Sequence, residues 1–158
     1  MFRIGDLVAH PMHGAGVIDA IVQEKVAGSL EEYYVFKMPV GGLLLKIPVA
    51  NSEAIGLRAI ISPEEADALI AAIPALEVEN SANWNKRYQE NLQRLKSGDL
   101  REVSRVIKGL MTRDTRRGLS TGERKMLQTA KRILISEIVL TQHAEYEDVE
   151  ARIECAMN

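Results

Sequence analysis

The sequence predicts an α+β protein of two domains: a small Tudor- or SH3-like β-barrel over 1–58, then an all-α domain of about five helices over 62–158. Three observations predict this. Up to about Leu57 the chain consists of short β-favouring runs punctuated by glycine. A helix-start signal then appears at Ser62-Pro63-Glu64-Glu65, and beyond it apolar residues recur at helical rather than alternating spacing.

In the first part, strands are expected over 4–8, 16–22, 33–38 and 43–49, with turns at Gly14, Ala27-Gly28-Ser29 and Gly41-Gly42. Four or five short strands in so little chain suit a strongly bent antiparallel sheet, although the count alone does not separate an SH3-like barrel from other small β folds. In the second part, Ser62 is an N-cap, Pro63 fits the first helical position and Glu65 can close a capping box. The same grammar recurs at Asp99-Leu100-Arg101-Glu102 and Ser120-Thr121-Gly122-Glu123. Helices are expected over 66–73 (stopped by Pro74), 84–96, 100–113, 121–141 and 145–156. Leu100, Val103, Val106, Ile107 and Leu110 form one apolar stripe, and Leu127, Ala130, Ile133, Leu134, Ile138 and Leu140 another, so these helices bury one face against each other.

The net charge of −2 conceals an uneven layout. Residues 1–81 carry 5 Lys and Arg against 11 Asp and Glu (−6), residues 82–132 carry 14 against 5 (+9), and residues 133–158 carry 1 against 6 (−5). A concentrated positive field between acidic flanks draws polyanions in while limiting indiscriminate sticking. The apolar runs fall short of the roughly 18 residues that span a bilayer, and Gly5 and Asp6 stand where a secretory apolar core would sit. A cytoplasmic protein is expected. Cys155 is the single cysteine, which excludes an intrachain disulfide framework and a Cys-based zinc cluster within one chain.

Trp84, the single tryptophan, opens the basic window in Asn83-Trp84-Asn85-Lys86-Arg87-Tyr88. Trp84, Tyr88, Leu92 and Leu95 share a helix face, and on spacing alone burial in the helical core is the favoured account. Against it, Trp84 follows the polar run Asn80-Ser81-Ala82-Asn83 at the very start of a helix, where an exposed indole beside cations can stack on or wedge between bases. Among the basic residues, Lys86, Arg87, Arg124 and Lys125 lie nearest helix starts, where backbone N–H groups and the helix dipole already favour an anion. His10 and His13 flank a Pro/Gly turn without thiolate or carboxylate neighbours, a poor metal site, so no metal or cofactor is expected. The chain has no paired nucleophile and base, and Gly14-Ala15-Gly16 lacks both a third glycine and a following helix, so an enzyme is not expected.

Together, Gly5-Asp6-Leu7-Val8, His10-Pro11-Met12-His13-Gly14, Asn83-Trp84 with Arg87-Tyr88, and Gly118-Leu119-Ser120-x-Gly122-Glu123-Arg124-Lys125-Met126-Leu127 resemble the CarD family of bacterial transcription regulators (CarD/CdnL type) over nearly the whole chain. The first signature is shared with the polymerase-interacting domain of the transcription-repair coupling factor, but no helicase motif follows here. The resemblance implies a Tudor-like domain docked on the RNA polymerase β subunit and a helical domain touching promoter DNA just upstream of the melted −10 region. Trp84 would be a minor-groove wedge that hinders bubble collapse and so stabilises the open complex without reading sequence, with Arg87 and Arg124 on the DNA backbone and Lys86 beside them. Val26 and Lys46 match polymerase-contact positions. A basic residue often used there aligns with Glu24, with Lys25 next to it. The family also implies a monomer. Two rivals stand beside this reading: a free-standing architectural DNA- or RNA-binding protein, and a protein-only adaptor in which Trp84 is core.

Overall fold

The computed structural model describes residues 1–78 and 81–158. Asn80 of the polar run before Trp84 lies outside the described residues. The protein is α+β. Strands β1 (Leu7–His10), β2 (Gly14–Val26), β3 (Ser29–Lys37), β4 (Leu44–Pro48) and β5 (Arg58–Ala59) form one antiparallel sheet in the order β4-β3-β2-β1-β5. A short helix α1 (Ser52–Ile55) precedes β5. Five longer helices follow, the number the sequence predicts: α2 (Pro63–Ala72), α3 (Trp84–Lys96), α4 (Leu100–Arg117), α5 (Thr121–Gln142) and α6 (Tyr146–Met157).

The departures from expectation have local causes. β1 begins at Leu7 rather than Ile4 because Arg3 to Asp6 forms a turn: the Asp6 amide donates to the Arg3 carbonyl (3.0 Å) and the Arg3 amide to the Asp6 carboxylate (2.8 Å). β2 and β3 run longer than expected because they continue as a hairpin to the pair Val26↔Ser29. Its two-residue turn places both Ala27 and Gly28 at positive φ, the geometry that matches the twist of the flanking strands. α4 continues to Arg117 and stops at Gly118, which takes a positive φ.

Of the three expected capping boxes, the one at Ser62 and Glu65 is complete. At α4 the Asp99 side chain caps the Arg101 amide (2.9 Å), while Glu102 pairs with Arg105 and approaches Arg94 (3.6 Å) instead of closing a box. At α5 Ser120 accepts from the Glu123 amide (3.2 Å), but the Glu123 side chain turns inward. Both acids had a cation within reach, and a charged partner outcompetes a neutral backbone amide.

Two apolar clusters hold the fold. Val8, Ile18, Tyr34, Phe36, Met38, Ile47 and Leu57 form the core of the sheet part. The second cluster runs along the helices and takes in both predicted stripes apart from Leu140, with Leu95, Val149 and Ile153 among its other members. α5 joins the two parts. Ser136 Oγ accepts from the Ala15 amide (2.9 Å) in a buried contact, and the Glu137 carboxylate accepts from Arg58 (2.7 and 3.0 Å) and from the Ile61 amide (2.9 Å). Among the described residues, no helix is long and apolar enough to cross a membrane.

The turn at 10–14 is therefore part of a joint between the sheet and the helices. Met12 reaches the helical core, and His10 Nδ1 accepts from the Met12 amide (3.1 Å). Burial, with the neighbouring His13 ring, lowers the His10 pKa to about 4, so this imidazole is neutral at pH 7. Gly14 has φ +105°, and a Cβ there would lie 2.4 Å from Ser136 Oγ. Gly14→Ala is expected to combine about 1–3 kcal/mol of backbone strain with loss of the Ala15–Ser136 hydrogen bond. Thermal melting should report the drop, and a melting temperature equal to wild type would refute this account of the joint.

Candidate nucleic-acid interface

α3 begins at Trp84 because Asn83 caps it, accepting from the Lys86 amide (3.0 Å). Trp84 and Tyr88, four residues apart, stack with centroids 5.0 Å apart at 17°. The indole Nε1 donates to Ser120 Oγ (3.2 Å) at the start of α5, and Trp84 remains 42% exposed. Thus the helix-face stripe holds for Tyr88, Leu92 and Leu95, which pack against or into the core, but it does not bury Trp84.

Arg87 corrects the sequence reading. Its side chain is 1% exposed, with Nε donating to Glu123 Oε2 (3.1 Å), Nη2 to Oε1 (3.5 Å) and Nη1 to the Ser81 carbonyl (3.1 Å). A guanidinium so enclosed cannot reach a phosphate, and Glu123 offsets its charge. Lys86 is adjacent in sequence, but about 100° around the helix, and it is exposed. Burial pushes the Glu123 carboxyl pKa up. The Arg87 hydrogen bond and charge, Arg113 at 3.8 Å and the Ser120 hydroxyl outweigh that, and the net pKa lies below the ordinary value.

Arg124 and Lys125 are exposed on the first turn of α5, with Arg124 Nε donating to the Leu119 carbonyl (3.2 Å). The N-termini of α3 and α5 thus meet at one end of the helical part, tied by the Trp84–Ser120 hydrogen bond and the Arg87–Glu123 pair. The partly exposed indole thus lies where two positive dipole ends meet, with Lys86, Arg124 and Lys125 exposed on the first turns of those two helices and Arg116 and Arg117 exposed on the last turn of α4. Other cations of the basic window serve the fold. Lys108 donates to the carbonyls of Ile73, Pro74 and Leu76 (2.9–3.0 Å), and Lys131 pairs with Glu150 (3.1 Å) and Glu154 (3.0 Å). The positive field is therefore narrower than the charge count implied. Sequence reasoning gave Ser120 and Glu123 only a capping role. A hint was present in Glu123 being one of just five acids in a window of fourteen cations.

The second group lies on β2 and on the edge strand β4. Lys25 and Val26 end β2 at the hairpin tip, where Val26 and Leu30 are exposed apolar residues. Lys46 sits on β4, whose outer edge pairs with no strand among the described residues, and its ammonium pairs with Glu24 across β3. Glu24 thus neutralises Lys46 in the free protein. Leu44, 60% exposed on the same strand, was not singled out from sequence.

Residues 2–61 match the family model described as "CarD-like/TRCF RID domain", and residues 68–154 match "CarD, C-terminal domain". The chain belongs to the CarD family. The two models together span both the sheet and the helices, as the resemblance in the sequence implied. A Bacillus subtilis (strain 168) protein named "Putative transcription factor YdeB" is 30% identical over 138 residues, which cover 87% of this chain and 90% of that protein. The CarD family is one of transcription regulators, and in this member the end bearing Trp84 lies within the part that matches the C-terminal model.

Proposed function

We propose that this CarD-family chain is a non-enzymatic transcription regulator that docks on the RNA polymerase β subunit and stabilises the promoter open complex by touching DNA at the upstream edge of the bubble. The observation that carries the reading is an exposed but held indole, Trp84, between two helix N-termini and beside Lys86, Arg124 and Lys125. An aromatic so placed can wedge or stack without reading sequence, while the cations and amides meet phosphate. A protein-only adaptor with Trp84 in the core is disfavoured by that exposure.

For the polymerase, the edge of β4 that pairs with no strand among the described residues offers a row of backbone groups to a partner strand, with Lys46, Lys25 and Val26 supplying side-chain selectivity. The Glu24–Lys46 pair must exchange or persist on docking, at little cost because both groups are exposed. In this reading residues 1–58 are a Tudor-like polymerase-binding domain and 62–158 the DNA-contacting domain, acting as a monomer in the cytoplasm.

With Arg87 committed internally, about four phosphates remain within the reach of Lys86, Arg124, Lys125 and a neighbouring cation, so affinity for duplex DNA alone should fall about a hundredfold between 50 and 200 mM salt. Tethering to polymerase would supply the missing affinity as effective concentration. Band shifts on duplex DNA, set beside capture of polymerase by the intact protein, test the scheme. Weak, steeply salt-dependent shifts with efficient capture are expected. Tight DNA binding at physiological salt without polymerase would instead favour a free-standing architectural protein.

A further inference from the structure

We propose that Ser120 is a positioning residue for Trp84: its hydroxyl, fixed by the buried Glu123–Arg87 pair, sets the orientation in which the indole is presented to DNA, an inference that rests on the functional reading above. A serine hydroxyl has one proton and two lone pairs, and three contacts use all of them. Ser120 Oγ accepts from Trp84 Nε1 (3.2 Å) and from the Glu123 amide (3.2 Å), and it donates to Glu123 Oε1 (3.3 Å). The carboxylate can only accept, so it claims the hydroxyl proton and leaves a lone pair facing the indole. Arg87 then holds the carboxylate from the buried side (3.1 Å).

Donation therefore runs one way from indole through hydroxyl to the carboxylate, where it meets the guanidinium donating from the other side. Two further contacts restrict the ring. Tyr88 stacks on it, and the first turn of α5 closes in at Gly122, where a Cβ would lie 3.7 Å from both Trp84 Cζ2 and Tyr88 Cε2. An aromatic that is exposed yet already oriented loses less freedom on binding than a mobile one. Arg87 thus serves DNA contact through Glu123 and Ser120, not by touching phosphate.

Because Trp84 is the single tryptophan, time-resolved fluorescence anisotropy of the intact protein reads indole wobble directly. Ser120→Gly removes the hydroxyl while keeping most of the N-cap's benefit to α5, and Ser120→Thr keeps the hydroxyl. The Gly variant should show faster indole wobble and, with polymerase capture unchanged, open complexes about two- to fivefold shorter-lived, the scale of one hydrogen bond. The Thr variant should match wild type in both. Wild-type wobble in the Gly variant overturns the positioning role, and so do longer-lived open complexes, which would mean that Ser120 restrains the indole from DNA. If Trp84→Ala leaves lifetimes unchanged, the functional reading itself fails, and the anisotropy comparison still upholds or overturns the positioning role.

Discussion

Trp84→Ala is expected to shorten the lifetime of promoter open complexes by about five- to a hundredfold, because stacking or wedging by one aromatic contributes roughly 1–3 kcal/mol and here acts only once the bubble exists. The same substitution should cost stability modestly. A fully buried Trp truncated to Ala loses about 3–5 kcal/mol, but Trp84 is 42% exposed, so about 1–2 kcal/mol is expected, chiefly from the lost contact with Tyr88. In a chain of this length that is a fall of a few degrees in melting temperature. Kinetics of competitor-challenged open complexes, paired with thermal melting, separate the two effects. A large fall in melting temperature with unchanged lifetimes would place Trp84 in the core.

The largest stability effect belongs to Arg87. Arg87→Ala leaves Glu123 buried and held only by Ser120 and the more distant Arg113, and breaking a buried pair from one side costs about 3–5 kcal/mol. Replacing both members with apolar residues, Arg87→Met with Glu123→Leu, should recover most of that loss because no buried charge is left uncompensated. A single variant as stable as wild type would contradict the burial described here. Acidity gives a second handle on the pair. The folded pKa of Glu123 lies below the ordinary carboxylate value of 4.5, so the pair's contribution is fully present above about pH 4.5 and is lost as pH falls through the folded value. Wild type should therefore lose stability relative to the doubly apolar variant below that pH. A difference between the two that stays constant from pH 7 down to strong acid would exclude Glu123 as the titrating group.

The helices were legible because their signals are local. Ser62, Asp99 and Ser120 each cap the helix that follows, and α3 begins and ends where its sequence predicts. The short β5 escaped notice because two residues carry no alternation, and Arg58 and Ala59 are strand only because β1 lies beside them. Lys86 and Arg87 look equivalent as letters in a basic window, yet one faces solvent and the other ends in a buried pair with a carboxylate 36 positions away. No local rule predicts a partner so distant.

By itself, the sequence determined the α+β class, the five longer helices, the uneven charge and the family, because capping, periodicity, composition and motif spacing are properties of neighbouring residues. The tertiary structure alone decided which cations remain available to an anion and how Trp84 is held. Those outcomes depend on bringing α3, α4 and α5 together, since the free energy of a buried charge is set by whatever opposite charge the fold places against it.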